Sequence, residues 1–140
     1  MASIYLIGSL RNPEIPTIAS SLRAEGYDVF DDWFAAGSIA DDSWRDYSKA
    51  KGQTYKEALK DYAANHVYQF DLHHINRCDI GVLVLPAGKS GHLELGYLLG
   101  QGKKGYIVAD PNVERWDVMY LFATAVVYTY EELVSVLKVG

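Results

Sequence analysis

The stretch CDIGVLVLPAGKSGHLELGYLLGQGKKGYIVAD, residues 78–110, decides the architecture. Residues 80–85 form a continuous apolar run of strand length. Such runs belong at the centre of a parallel sheet, where both faces are covered. Residues 86–91 carry the proline and glycines of a loop, and residues 92–101 have the length and apolar density of a helix. A second apolar run at residues 105–109 completes a strand–helix–strand unit. Parallel strands joined in this way take a right-handed crossover.

The same alternation continues outward. Residues 4–7 read as a strand that stops at Gly8-Ser9. Pro13 and Pro16 precede a helix over residues 17–25, which Gly26 closes just past its end. Residues 27–30 form the next strand, ending at Asp31-Asp32-Trp33, and residues 34–42 read as loop. Asp42 or Ser43 then caps a helical stretch that runs to Asn76, broken at Gly52 and restarted by the capping box Thr54-x-x-Glu57. Residues 116–122 read as helical, 126–128 as the last strand, and 130–137 as a closing helix begun by Thr129-x-x-Glu132. The sum is a doubly wound α/β domain over residues 1–140, a mainly parallel five-stranded sheet flanked by helices in a flavodoxin- or Rossmann-like three-layer sandwich. In such sheets ligands sit beyond the carboxyl ends of the strands. Residues 8–11, 31–33 and 86–94 occupy those ends.

Composition narrows the function. With 140 residues, 49% hydrophobic and 22% charged, the chain has an ordinary globular balance and room for one core. A net charge of −5 without any basic run argues against a nucleic-acid polymer as partner, because phosphate neutralisation needs clustered Lys and Arg. The single cysteine, Cys78, excludes an internal disulfide and suits a reducing cytoplasm. From Met1 the chain enters a short apolar run without a basic leader, so neither a secretory signal nor a membrane partner is expected. The expectation is a soluble cytoplasmic protein.

Within the decisive stretch, Glu94 stands among Leu93, Leu95, Tyr97, Leu98 and Leu99. It has two readings. With Gly91 as N-cap, a carboxylate at the third helical position gains about 0.3–1 kcal/mol from the helix dipole. Alternatively the apolar surroundings desolvate it, and a desolvated carboxylate is costly unless it has a partner or a purpose. Asp71, on the helix before the central strand, can reach the same crevice or lie solvated on the surface. Gly88-Lys89-Ser90 looks like the tail of a phosphate-binding P-loop, but the glycine required five residues earlier is Leu83. What remains is a glycine-bearing loop feeding a helix start, where free N–H groups can hold an anion. His66, His73, His74 and His92 show no metal-ligand spacing, and the acids from Asp28 to Asp42 match no calcium loop. No metal and no cofactor is expected.

Assembled, these segments resemble a known family. Tyr5-Leu6-Ile7-Gly8-Ser9-Leu10-Arg11, Asp71, the run from Cys78 to Pro86, and Gly91-His92-Leu93-Glu94-Leu95-Gly96-Tyr97 resemble the nucleoside 2-deoxyribosyltransferases and the related 2′-deoxynucleoside 5′-phosphate N-glycosidases. The resemblance implies that Glu94 attacks C1′ of a deoxynucleoside, that Tyr5 hydrogen-bonds this nucleophile, and that Asp71 is the acid/base near the leaving base. It places Gly8 and Ser9 in the first loop lining the pocket. Asp32 and Trp33 would offer a carboxylate and a ring face to the base, and Gly88, Ser90 and Gly91 would line the pocket from the loop before Glu94. The transferases carry an aspartate shortly before the nucleophile; here Lys89 and Ser90 stand there. With Arg11 they suit a 5′-phosphate, as in the N-glycosidases.

The expected partners are therefore a nucleoside or nucleotide and a free nucleobase, with transfer of deoxyribose to that base or to water. A 5′-monophosphate N-hydrolase is the rival reading, and a non-catalytic nucleotide sensor on the same fold a third. A homo-oligomer, dimer or larger, is expected from the resemblance and from Leu95, Leu98 and Leu99 with Gly96 and Gly100, which offer a helix surface for close subunit packing.

Overall fold

The structure, a computed structural model, describes residues 2–112 and 115–140. Met1, where the N-terminal run begins, lies outside the described residues. Strands β1 (Ser3–Ile7), β2 (Asp28–Phe30), β3 (Ile80–Val84), β4 (Lys104–Val108) and β5 (Ala125–Val127) form one sheet in the order β2-β1-β3-β4-β5. Every pairing is parallel, which sharpens the expectation of a mainly parallel sheet. Tyr5 lies between Phe30 and Gly81, and Ile7 beside Leu83.

Helices α1 (Ile15–Ala24), α2 (Ala40–Ala50), α3 (Tyr55–Ala58), α4 (Tyr62–Arg77), α5 (Lys89–Gly100) and α6 (Tyr130–Val139) complete the chain. Side chains of a strand alternate between faces, so each strand feeds two cores. Ile4, Leu6, Val82, Val84 and Tyr106 pack with Ile15, Ala19 and Leu22 of α1 and Leu133 and Leu137 of α6. Tyr5, Ile7, Leu83 and Ile107 point the other way, onto Ile75 of α4 and Leu95 and Leu98 of α5. Each fully buried large aliphatic contributes about 1.5–3 kcal/mol, so these two layers account for the three-layer sandwich. No helix among the described residues is long and apolar enough to cross a membrane.

Several boundaries differ from the sequence reading, each for a local reason. Helix α1 starts at Ile15 rather than residue 17, because Pro16 is tolerated in a first turn whose N–H groups lack partners anyway. Residues 34–42 are not all loop: Asp32–Ala36 is a 3-10 turn and α2 already begins at Ala40. Asp41 and Asp42 therefore sit inside the first turn, where the dipole favours acids, instead of before it. The break at Gly52 (φ 77°) and the Thr54/Glu57 capping box form as expected. A further break follows, with Asp61 capping α4. Of residues 116–122 only Val118–Phe122 is helical, in 3-10 form, and Trp116 stands outside it.

The leucines of α5 require a larger correction. Leu95 and Leu98 are buried in this chain's own core, with Leu99 packed beside them, so they are not a free subunit-packing surface. They close onto Gly81 and Gly105, whose missing side chains let α5 approach the sheet. A Cβ at Gly105 would lie 2.7 Å from Leu95 Cδ1 and 2.9 Å from Leu99 Cδ2. Gly105→Ala should therefore destabilise the protein by about 1–3 kcal/mol in urea unfolding, the usual cost of overpacking a filled core; unchanged stability would show that α5 does not pack this closely.

Candidate active site

The strand order places the reversal of direction between β1 and β3, since the chain turns from β1 to one edge and from β3 to the other. A crevice opens beyond the carboxyl ends of such neighbours. Helix α5 leaves β3 directly over it. Gly88 is the N-cap and gives no side-chain cap, so α5 begins at Lys89. Gly91 is thus not the cap. It is buried in the first turn against the sheet, where a Cβ would stand 3.1 Å from both Ile7 Cγ2 and Leu83 Cδ1. That close packing explains its identity better than a loop-lining role does.

The earlier helix start moves Glu94 into the second turn, counting from Lys89. Dipole stabilisation fades after the first turn, so helix punctuation does not account for this residue. Its partner does. The Tyr5 hydroxyl, buried in β1, donates to Glu94 Oε2 at 2.7 Å. Burial pushes the Glu94 carboxyl up to about 7; the Tyr5 hydrogen bond opposes this rise and the nearby charge of Asp71 adds to it. Burial, then the charges of Glu94 and Asp71, raise the Tyr5 hydroxyl far above its ordinary value, so it stays a donor. Asp71 lies half-buried on α4, and burial followed by the charge of Asp41 lifts it to about 6. Two carboxyls of elevated pKa and one fixed phenol therefore lie within one another's fields.

The remaining expected residues divide. Gly8 directly follows β1 and faces Ile15; Ser9 Oγ accepts from the Arg11 backbone N–H at 3.1 Å, shaping this loop. Arg11 is exposed, 3.8 Å from Asp42 on α2. Gly88, Lys89 and Ser90 are exposed at the other side of the opening. Trp33 is half-buried and spends its indole N–H on the Leu6 carbonyl at 2.8 Å, which ties the turn after β2 to β1. Asp32 is exposed, whereas its neighbour Asp31 is buried and accepts from Arg23 at 2.6 Å. The acid that shapes the turn is Asp31; Asp32 is exposed, and its charge acts on His74.

Three features escaped the sequence reading. His74 stacks on Phe30 with ring centres 3.9 Å apart, and Phe30 stacks on Tyr5 at 5.4 Å, so an aromatic column backs the phenol. The spacing of Phe70, Asp71 and His74 on one helix was the available signal. His92 bridges Gly88 O and the Tyr120 hydroxyl, each at 2.8 Å, pinning the start of α5 to the Val118–Phe122 turn. Helix α2 brings the charge of Asp41 to bear on Asp71 and Asp42 beside Arg11, from positions read as the loop and cap before that helix. Among the described residues no three His, Cys, Asp or Glu side chains gather to hold a metal ion. A groove of about 500 Å³ between α1, α6 and the ends of β3 and β4 lies on the opposite face and contains neither Glu94 nor Asp71.

Solved structures share this fold. A 2-deoxyribosyltransferase from Bacillus psychrosaccharolyticus superposes with a TM-score of 0.62 at 21% identity, over 94% of this chain and 90% of that one. So do a CMP N-glycosidase from Clostridium botulinum (TM-score 0.53, 12% identity, 97% and 98% of the two chains) and a conserved Enterococcus faecalis V583 protein (0.64, 12%, 99% and 98%). This chain has their fold. The first bears the name of the transferases in the motif resemblance, and the second is named as an N-glycosidase of CMP, a ribonucleotide. No protein-family model and no curated protein matches the sequence.

The burial of Glu94 has a thermodynamic signature. Its folded value of about 7 exceeds the ordinary 4.5, so the native state holds the proton more tightly and stability falls as pH rises from 4.5 through 7. Glu94→Gln removes that loss. The variant should match the parent near pH 4 and exceed it at pH 8 by up to about 3 kcal/mol in urea unfolding; equal stability at both pH values would mean that the carboxyl is well solvated.

Proposed function

We propose that this protein cleaves the N-glycosidic bond of 2′-deoxynucleosides through a covalent deoxyribosyl–Glu94 intermediate and passes the sugar to another nucleobase or to water. The observation that carries this reading is the 2.7 Å bond from Tyr5 to Glu94 Oε2. It holds one carboxylate oxygen and leaves Oε1 for the anomeric carbon. In the first step Oε1 bonds to C1′ while the C1′–N bond breaks, its electrons leaving with the base, which takes a proton from Asp71. In the second step a nitrogen of the incoming base, or water, attacks C1′, gives its proton to Asp71 and releases Glu94. Splitting one hard displacement into two lowers each barrier.

The protonation states follow from the site. Glu94 must be ionised and Asp71 protonated, yet their values of about 7 and about 6 lie close together and each feels the other's field. The productive form is one of two singly protonated states, so kcat/KM against pH should be a narrow bell centred between about 6 and 7. Deoxyinosine should release hypoxanthine and, with adenine present, yield a new deoxynucleoside by chromatography. Glu94→Gln should cost roughly a thousandfold or more in kcat/KM. An undiminished rate in that variant would remove the nucleophile from the scheme.

A second reading, hydrolysis of 2′-deoxynucleoside 5′-monophosphates, draws support from Arg11 and Lys89 exposed at the opening and from the lack of an acid in residues 86–93. Base release from the 5′-phosphate alone would select it. Self-association belongs to the proposal too, through a different surface from the α5 leucines. Trp116, Met119, Leu121 and Phe122 are exposed, and Tyr120 joins their turn to His92, next to Leu93, which is 75% exposed. Exposed apolar groups at this density mark an interface. Light scattering at micromolar concentration should give at least a dimer, and Leu121→Asp should weaken it; a monomer would leave that surface without this role.

A further inference from the structure

We infer that His74 is a positioning residue for Asp71: its ring, laid on Phe30, registers helix α4 against the sheet and so fixes where that carboxyl stands relative to Tyr5 and Glu94. The inference rests on the N-glycosidic reading, in which Asp71 exchanges a proton with the base, and adds a residue to it. Helix α4 is otherwise lightly held where Asp71 sits. Ile75 is the one buried residue of its sixteen, and residues 65–70 are exposed in succession. Its last turn is tied to α5, where the Tyr97 hydroxyl donates to Asn76 Oδ1 at 2.7 Å and Gln101 Nε2 donates to the same oxygen at 3.2 Å.

Around Asp71 the grip comes from one ring of β2. Phe30 meets Phe70 at 5.8 Å, His74 at 3.9 Å and the Arg77 guanidinium at 5.5 Å. Positions 70, 74 and 77 recur at helical spacing and form one stripe, so this stripe seats α4 on Phe30. Asp71 lies one residue past Phe70 and one turn before His74, inside the seated length. The rings of His74 and Phe30 are nearly parallel, at 12°. Arg77 holds that plane: its Nε–H donates to His74 Nδ1 at 2.9 Å, and its Nη1 lies 3.6 Å from Asp28 Oδ2 on β2. An Nδ1 that accepts carries no proton, so the ring is neutral with its proton on Nε2. Burial, then the charges of Arg77 and His73, keep His74 below its ordinary pKa against the opposing charge of Asp32. Phe30 also stacks on Tyr5 at 5.4 Å. The helix that bears Asp71 and the phenol that holds Glu94 therefore share one reference plate. Proton transfer needs a donor within hydrogen-bond reach of the base, so a helix free to slide on that plate would lose it.

The first readout is the Asp71 carboxyl itself, isolated by infrared difference spectra against Asp71→Asn in a Glu94→Gln background. There the coupled carboxyl of α5 is gone, while Asp41 of α2 stays in place. The midpoint should lie near 6 with His74 present and fall toward the ordinary 3.8 in His74→Ala, as α4 loosens and water reaches the carboxyl. His74→Phe, which keeps a ring on Phe30, should leave it near 6. His74→Asn, which offers Arg77 an acceptor but no ring, should behave as His74→Ala does. The second readout is turnover of deoxyinosine with Glu94 restored. His74→Ala should lower kcat about ten- to a hundredfold and leave KM within about twofold, the mark of a misplaced proton carrier. His74→Phe should recover most of that loss, and in an Asp71→Asn background His74→Ala should cost nothing more. The inference is overturned by an Asp71 midpoint that His74→Ala leaves unmoved, by rescue with Asn and not with Phe, or by a kcat loss that persists in full without Asp71. Base release by the unsubstituted protein is scored separately: its absence would end the N-glycosidic reading, and the Asp71 midpoint would then decide the role of His74 alone.

Discussion

One hydrogen bond organises this molecule: the Tyr5 phenol, fixed in the second strand from the edge, holding the Glu94 carboxyl of α5. A phenol buried in a strand cannot follow a helix that drifts, so the helix must be set down within tenths of an ångström. Three glycines permit that. Gly81 and Gly105 admit the leucines of α5, and Gly91 lets its first turn rest on Ile7 and Leu83. The aromatic stack of Tyr5, Phe30 and His74 prevents the phenol from turning away. Core packing and candidate chemistry thus share the same atoms.

The electrostatic side is a trade. Burying Glu94 and Asp71 on one side of a crevice raises both carboxyls and leaves the folded protein less stable above neutral pH than it would be with amides there. A site of this kind keeps a carboxylate poorly solvated and reactive, with a neighbour still able to carry a proton at neutrality. Stability is given up where reactivity is gained. The surface acids behave otherwise: Asp42 shares its charge with Arg11 and Arg45 in water, at little cost.

How far this was legible in the sequence follows from which signals are local. The apolar run at residues 80–85, the capping boxes at Thr54 and Thr129, and Gly26 beyond α1 report directly on backbone geometry, and all describe the observed elements. Glu94, Tyr5 and Asp71 were legible as candidates, and the fold joins Tyr5 to Glu94 with the charge of Asp71 acting on both. What failed was long-range. Gly91 looks like a cap in one dimension, but its neighbours Ile7 and Leu83 come from other strands. The α5 leucines look like a spare face until Gly81 and Gly105 are seen opposite them. Asp41 and Asp42 signal nothing until α2, which begins without a side-chain cap, folds beside α4. The pairing of Asp31 with Arg23 was not legible either, because nothing in the sequence announces those two as partners.

The central claim is that Glu94 is a desolvated carboxyl restrained by a phenol, and its own titration tests this most directly. Infrared difference spectra between the parent protein and Glu94→Gln across pH isolate that single carboxyl. A midpoint near 7, moving higher when Tyr5→Phe removes the hydrogen bond that favours the anion, is the expected result. A midpoint near the ordinary 4.5, unmoved by loss of the phenol, would contradict it.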